Sequence, residues 1–251
     1  MKIAILITAR LKSARLPLKV IKPIHGRPMI IHMLNRLKLA KKPQEIIICT
    51  STLEQDDPLV KIAEEEGVKC FRGHPDDVLL RLTNAAKEHD VDLVINCTAD
   101  NPFVDPEYID YLVDYHIKSA NEFSKIEGLP WGTFSYAINP SAMERACSIK
   151  DEVDTEVWHG YFMDTGLFKW GALLVNDPEV VWPELRLTVD TSEDFQLITR
   201  IFDELYDGEK VFPLRDIISL CRRKPELPEI NSIIEQKPGI PLRIKKEIRG
   251  F

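Results

Sequence analysis

Short apolar runs alternate with amphipathic stretches along residues 1–120. Each run has the length of a buried strand and is bounded by charged or turn residues, whereas the stretches between them carry apolar positions at helical spacing. Strands separated by helices of this length favour right-handed βαβ units and a mostly parallel sheet. The predicted strands are Ile3–Thr8, Glu45–Ser51, Val68–Phe71 and Asp92–Thr98, and the predicted helices are 28–42, 57–67, 76–89 and one that begins at Asp105.

The pattern is less regular after residue 121. Residues 127–136 are rich in turn residues and aromatics, and helical patterns follow over 141–148 and 154–163. Glu184–Asp190 predicts a late strand, 192–206 predicts an amphipathic helix, and 211–251 holds two short helical patterns among prolines. No repeat or low-complexity linker interrupts the chain. We therefore expect one domain over 1–251, with a regular part at 1–120, an elaborated part at 121–210 and a C-terminal arm at 211–251.

Composition narrows the class of protein. The chain has 251 residues, of which 44% are hydrophobic and 29% are charged, and this suits one large α/β domain with a substantial core. No run of about eighteen apolar residues occurs, so we expect no membrane span. The first apolar run is too short for a signal peptide, and we expect a cytoplasmic protein. Five scattered cysteines without a CxxC spacing favour reduced thiols over zinc sites or disulfides.

Charge is unevenly distributed along the chain. The net charge of −7 argues against a protein that coats nucleic acid, yet residues 10–27 carry Lys and Arg with no acid among them. The loop after the first strand lies where ligands bind in open α/β sheets, and its cations suit a polyanion. It has neither the GxGxxG nor the P-loop sequence, and a solvated loop with incidental charges is the alternative. The candidate ligands are Arg10, Lys12, Ser13, Arg15 and Lys19.

Two acids follow predicted strands at positions far apart in the chain. Asp100 follows the strand that ends at Thr98, and Asp190 ends the predicted late strand. If both strands lie in one sheet with the same orientation, the two carboxylates meet at its carboxyl edge. Mg²⁺ is usually held by one or two carboxylates together with substrate phosphates, so the pair predicts a magnesium site. Helix capping is the alternative for Asp190, and it is the preferred interpretation of Asp105.

Five separate motifs match one known family in order and spacing. They are residues 4–20 (AILITARLKSARLPLKV), 50–58 (TSTLEQDDP), 71–79 (FRGHPDDVL), 98–106 (TADNPFVDP) and 187–195 (LTVDTSEDF). Together they resemble the spore-coat-polysaccharide type of cytidylyltransferase, which is related to CMP-KDO synthetase and acylneuraminate cytidylyltransferase. The resemblance covers roughly residues 3–205.

This resemblance implies a GT-A-like, three-layer α/β/α fold with a mixed, mostly parallel sheet. It implies that Arg10, Arg15 and Lys19 hold a triphosphate, that Asp100 and Asp190 hold Mg²⁺, and that the stretch from Arg72 to Asp77 lies near the base. Arg10, Lys19 and Asp100 are the expected catalytic residues, and Lys12, Ser13, Arg72 and Asp77 join the substrate-binding set. Residues 1–120 then form a nucleotide-binding half and 121–210 an acceptor-binding half, and a homodimer is plausible.

The chain departs from the family pattern at several places. Leu18 replaces a usual glycine, Lys12 stands where glycine is frequent, and Thr155-Glu156-Val157 lacks a histidine that is often found there. These departures affect the acceptor half most, where Trp131, Phe134 and Tyr136 could line a sugar site, the core or an interface. We predict a magnesium-dependent transfer of CMP from CTP to a sugar or sugar acid, for surface glycan biosynthesis. The alternatives are another nucleoside triphosphate with a sugar 1-phosphate, a GT-A glycosyltransferase, and a non-catalytic nucleotide-binding subunit.

Overall fold

The structure is a computed structural model that describes residues 1–155, 157–236 and 242–245. Within these residues a seven-stranded sheet has the order β5-β4-β1-β6-β8-β7-β9. The pairs are parallel except the two that β8 makes, with β6 and with β7. The strands are β1 (Ile3–Thr8), β2 (Pro23–Ile24), β3 (Arg27–Pro28), β4 (Glu45–Ser51), β5 (Lys69–Gly73), β6 (Leu93–Thr98), β7 (Phe123–Glu127), β8 (Tyr136–Ile138) and β9 (Trp170–Leu174), of which β2 and β3 form a separate hairpin.

Helices connect most of the strands and cover both faces of the sheet. Several begin at capping residues: Asp77 caps α3, Asp105 caps α4, and Thr191 forms a capping box at the start of α7. The helices are α1 (Met29–Leu37), α2 (Asp57–Glu65), α3 (Val78–Glu88), α4 (Pro106–Ser119), α5 (Pro140–Ile149), α6 (Gly160–Met163), α7 (Ser192–Leu205), α8 (Leu214–Arg223) and α9 (Glu226–Glu229).

Side chains of β1 alternate between two apolar cores. Ile3, Ile5 and Ile7 pack in one core with residues of α1, α2, α4, α7 and α8. Ala4 and Leu6 pack in a second core with residues of α3, α5 and α6. Successive side chains of a strand point to opposite faces, so the central strand must be apolar at every position. The predicted three-layer α/β/α fold with a mixed, mostly parallel sheet is confirmed.

The predicted late strand over Glu184–Asp190 is wrong. Among the described residues this segment takes no part in the sheet, and its one strand-like feature is an isolated bridge between Trp131 and Arg186. Two backbone hydrogen bonds hold it beside Trp131: the amide of Leu187 donates to the carbonyl of Trp131 (2.7 Å), and the amide of Trp131 donates to the carbonyl of Leu185 (2.8 Å). Alternating apolar positions 185, 187 and 189 are buried, and this burial gave the segment its strand-like pattern.

β7, β8 and β9, in the second half of the chain, show no clear strand pattern in the sequence. β8 has three residues, and β7 interrupts its apolar positions with Ser124 and Lys125. Their positions depend on pairing with distant strands, which local propensity does not encode. The predicted helix over 154–163 is also largely wrong, since α6 alone is helical there and residue 156 lies outside the described residues.

Three further expectations concern membrane spans, the cysteine thiols and the division of the chain into parts. No helix within the described residues is long and apolar enough to cross a membrane. All five cysteines, which lie in the described part of the chain, are free thiols. The division into nucleotide-binding half, acceptor-binding half and arm stays a prediction, although α8 contributes Ile217 and Ile218 to the first core.

Candidate active site

A cleft of about 550 Å³ opens at the carboxyl ends of β1 and β6. The loop after β1, the turn after β6 and the segment before α7 form its walls. Ligands bind at this edge in open α/β sheets because the loops there converge. Seven of the predicted site residues line the cleft, namely Arg10, Lys12, Ser13, Arg15, Lys19, Asp100 and Asp190. The basic loop and the two acids therefore share one cavity.

Lys19 joins the two acids at the centre of the cleft. Its Nζ lies 2.8 Å from Oδ2 of Asp100 and 2.9 Å from Oδ1 of Asp190, and it also donates to the carbonyl of Val189 (2.7 Å). Burial alone would lower the pKa of Lys19, but the two carboxylates outweigh burial and raise its pKa. Lys19 therefore stays charged across the neutral range.

A backbone hydrogen bond brings the two acids together. The amide of Val189 donates to the carbonyl of Asp100 at 2.8 Å. Asp100 lies in the turn that follows β6, and Asp190 lies in the turn that precedes α7. Asp190 thus lies beside Asp100 although the predicted strand does not form, because this main-chain hydrogen bond joins the two segments.

Three cations surround the Asp190 carboxylate. Oδ1 accepts from Lys19 and forms an ion pair with Arg15 Nη2 (2.9 Å), and Oδ2 accepts from Arg186 Nη2 (2.9 Å). Burial alone would raise the pKa of Asp190, but Lys19, Arg15 and Arg186 together lower it. Asp190 is accordingly ionised, and its two oxygens have separate partners.

A buried ion pair lies beneath Asp190. Arg186 Nε donates to Oδ1 of Asp194 (2.9 Å), and Arg186 Nη2 donates to its Oδ2 (3.1 Å). The same Oδ2 accepts from the backbone amides of Asp190 (2.9 Å) and Thr191 (3.0 Å). Asp194 is completely buried. Sequence reasoning missed both members of this pair, although the capping-box spacing from Thr191 to Asp194 gave a local signal for the acid.

The loop after β1 is fixed at both ends. At its start, the amide of Leu11 donates to Oδ1 of the buried Asp56 (2.8 Å), which also accepts from Ser51. At its end, a 3₁₀ turn over Lys19–Ile21 follows Leu18, whose φ is +58°. Leucine thus adopts the left-handed conformation that glycine favours, at a cost of about 1–2 kcal/mol.

Arg10 and Lys12 extend towards the loop that follows β5. Arg10 donates through Nη1 to the carbonyl of Pro75 and lies 3.4 Å from Oδ1 of Asp76. Lys12 Nζ lies 3.9 Å from the same oxygen, and its side chain is mostly exposed. Together they place positive charge on the wall of the cleft opposite Asp190.

Arg72 and Asp77 lie outside the lining of the cleft. Arg72 donates to the carbonyls of Ser51 (3.0 Å) and Leu53 (2.9 Å) and pairs with Asp57. Asp77 caps α3 and contacts Lys150. Both side chains make contacts within the fold around the cleft, and neither lines it.

Aromatic side chains continue the cleft towards the second half of the chain. Trp158 lines the cleft, a position that sequence reasoning missed because nothing local distinguishes it from a core residue. Tyr136 stacks on His159 with their ring centroids 5.8 Å apart, and burial lowers the pKa of His159. A chain of ring contacts leads from the exposed Trp131 through Phe134 and Tyr136 to Trp158 at the cleft. We call Trp131, Phe134, Tyr136, Trp158 and His159 the aromatic strip.

Comparison with known proteins assigns the family. A family model described as cytidylyltransferase matches residues 4–164. The chain belongs to the cytidylyltransferase family. An 8-amino-3,8-dideoxy-manno-octulosonate cytidylyltransferase of Shewanella is 32% identical over 95% of each chain. The spore coat polysaccharide biosynthesis protein SpsF of Bacillus subtilis is 27% identical over 89% of this chain and 95% of that protein.

A solved structure resembles this cytidylyltransferase over nearly its whole length. It is a cytidylyltransferase from Leptospira borgpetersenii, with a TM-score of 0.84 and 27% sequence identity, and the match covers 94% of this chain and all of that one. The family and the fold that the five motifs implied are therefore both confirmed, and the chain is a nucleotidyltransferase.

The acids of this cytidylyltransferase fit a divalent cation. Asp100 and Asp190 both reach one cationic atom, Lys19 Nζ, within 2.9 Å, so their oxygens converge on a single point. No group of three or more metal-ligating side chains occurs among the described residues. Two carboxylates leave several positions of a magnesium ion for phosphate oxygens and water, which is the usual arrangement at nucleotide sites.

Replacing Asp194 by Asn is expected to lower the free energy of unfolding by about 1–3 kcal/mol, because the buried Arg186 then keeps Asp190 as a carboxylate partner but loses Asp194. Burial alone would raise the pKa of Asp194, but hydrogen bonds from Arg186 and Asn231 outweigh burial and lower it. The carboxylate therefore stabilises the fold fully above about pH 4 and loses that effect as the pH falls through the folded-state pKa. Urea unfolding at pH 7 and near pH 3 measures both, and an equal difference at the two pH values would contradict the expectation.

Proposed function

We propose that this cytidylyltransferase transfers CMP from CTP to a hydroxyl group of a sugar or sugar acid, with Mg²⁺ bound at Asp100 and Asp190. The observation that carries the proposal is the convergence of Lys19 with both acids in a cleft whose other walls carry Arg10, Lys12 and Arg15. A cleft with this charge pattern suits a triphosphate, which has several negative charges, more than it suits a neutral ligand.

The reaction is a direct displacement at the α-phosphorus. The acceptor oxygen forms a bond to phosphorus, the bond to the β-phosphate breaks, pyrophosphate leaves with the electron pair, and the hydroxyl proton passes to solvent. Arg10 and Lys19 neutralise the charge of the leaving pyrophosphate, while Arg15, Lys12 and Ser13 orient the phosphate chain. When bound, Mg²⁺ supplies additional charge neutralisation at phosphate oxygens. Asp100 and Asp190 hold that ion.

Lys19 has a second role in this proposal. Its ammonium group bridges the two acids. A divalent cation held by the same carboxylates would offset their charge, and Lys19 would then be able to donate to the phosphates that the cleft is proposed to bind.

The aromatic strip is the proposed acceptor site. Ring faces pack against the apolar face of a sugar, and Trp158 joins the strip to the phosphate cleft. A sugar-acid acceptor is supported by the Shewanella relative, whose name specifies an octulosonate. A role in surface glycan biosynthesis is supported by the Bacillus subtilis relative, whose name specifies spore coat polysaccharide.

We place the reaction in the cytoplasm, where CTP is made, and propose a homodimer as the working assembly.

Thermal unfolding with Mg²⁺ and each nucleoside triphosphate in turn tests the donor. CTP at a hundred times its dissociation constant is expected to stabilise the fold by about 2.7 kcal/mol with Mg²⁺ present, and by less without Mg²⁺, because Lys19 is then held by Asp100 and Asp190. The other triphosphates are expected to shift the melting temperature less.

Three other outcomes are informative. An equal or larger shift with another triphosphate would overturn the choice of CTP. A shift with a nucleotide sugar alone would favour a glycosyltransferase. Binding of CTP without pyrophosphate release on any sugar acid or sugar phosphate would favour a non-catalytic subunit.

A further inference from the structure

The C-terminal arm reaches the base of the active site through one buried side chain. Asn231 follows α9 and is 2% exposed. Its Nδ2 donates to the carbonyl of Arg186 (3.1 Å) and to Oδ1 of Asp194 (2.8 Å). Both partners can only accept a hydrogen bond, so the amide nitrogen must face them. A second arm residue, Gln236, accepts from Arg186 Nη1 through its Oε1.

The Asp194 carboxylate connects Asn231 to the turn that carries Asp190. Asp194 receives Asn231 on Oδ1, and its Oδ2 accepts the amides of Asp190 and Thr191. The orientation of the Asp194 carboxylate therefore decides where the backbone of Asp190 lies. Arg186 Nη2 holds the Asp190 side chain from the same side, and Asn231 also fixes the carbonyl of Arg186.

We propose that Asn231 is a positioning residue for the metal-binding carboxylate of Asp190. Asn231 acts through Asp194 and Arg186 and does not itself line the cleft. Through Asn231, the C-terminal arm takes part in the reaction. The inference rests on the proposed function in one respect, namely that Asp190 holds the metal. Partners that orient metal ligands typically change metal affinity by roughly tenfold to a hundredfold when removed.

The test compares Asn231→Leu with Leu227→Ala. Leucine has nearly the shape of asparagine but no hydrogen-bond donor. Leu227 lies on α9 of the same arm, is 3% exposed and packs in the first core, so its truncation loosens the arm without removing a contact of Arg186 or Asp194. Asn231→Ser, which is smaller and keeps a hydroxyl donor, is measured in parallel in case the leucine variant does not fold.

The first measurement is the affinity for Mn²⁺ in the presence of CTP. The electron paramagnetic resonance signal of free Mn²⁺ reports how much metal is unbound. Asn231→Leu is expected to bind Mn²⁺ roughly tenfold to a hundredfold more weakly than wild type, and Leu227→Ala is expected to match wild type despite a lower melting temperature. Equal Mn²⁺ affinity in wild type and Asn231→Leu would overturn the proposal, as would an equal loss in both variants.

The second measurement is hydrogen exchange at the amides of Asp190 and Thr191, which needs neither metal nor nucleotide. Both amides are expected to exchange faster in Asn231→Leu, relative to core amides of the same protein, and to keep their relative protection in Leu227→Ala. Unchanged exchange in Asn231→Leu would sink the positioning role. If wild type binds no Mn²⁺ with CTP while this exchange pattern holds, the proposed metal site fails and the positioning of the Asp190 turn survives.

Discussion

Asp190→Asn is expected to lose at least about a thousandfold in kcat while its unfolding transition stays cooperative. An amide oxygen is a weaker ligand for Mg²⁺ than a carboxylate, and losing the several kcal/mol that a bound ion supplies to the transition state corresponds to this factor. The same loss is expected for Asp100→Asn, because both carboxylates converge on one point.

Pyrophosphate release at saturating CTP and acceptor measures this loss, and circular dichroism on heating checks the fold. Asp114→Asn is the matched control, since Asp114 on α4 is mostly exposed, pairs with Lys42 and does not line the cleft. Its activity is expected to equal that of wild type. Near-normal turnover in Asp190→Asn or in Asp100→Asn would remove that residue from the metal site.

Lys19→Ala is expected to lose about 10²–10³-fold in kcat, the usual effect of removing one preorganised charge from a reaction that develops negative charge. The KM for CTP is expected to change less, since Arg10, Lys12 and Arg15 remain in the cleft. Because Asp100 and Asp190 raise the pKa of Lys19, its charge persists throughout the neutral range. The wild-type pH profile between pH 6 and 9 is therefore expected to carry no step from this lysine.

Steady-state kinetics with CTP varied separates kcat from KM for this variant. Lys118→Ala provides the control because Lys118 is an exposed residue near the end of α4. If Lys19→Ala raised KM alone and left kcat intact, Lys19 would bind ground state and transition state equally, and its catalytic assignment would be wrong.

The first half of the chain was predictable because its strands are parallel and central. A strand buried on both faces must be apolar at its buried positions, as residues 3–7 are, and such a run is visible in the sequence. β8 and β7 lack such an apolar run. β8 has only three residues, and its place is fixed by pairing with β6 and β7.

The same contrast applies to the site. The basic loop and the two acids were predictable because ligands bind at the carboxyl ends of parallel strands. Arg186, Asp194 and Asn231 were not, because a buried hydrogen-bond network is defined by which segments meet in the folded chain. Arg72 and Asp77 lie outside the cleft lining, and their side chains form contacts within the fold beside it; their place near the base stays a prediction.

The order in which the cleft receives its residues has a consequence for biosynthesis. The loop after β1 and the turn that holds Asp100 leave the ribosome early, and the stretch between Asp100 and Asn231 then takes roughly 7–26 s to synthesise at bacterial to eukaryotic elongation rates. Until the chain reaches Asp190, Lys19 and Arg15 lack that partner, although Asp76 and Asp100 are already made. On the proposed function, competence to bind a metal–nucleotide pair is therefore acquired late in translation, after β1, β4, β5 and β6 are available to pair.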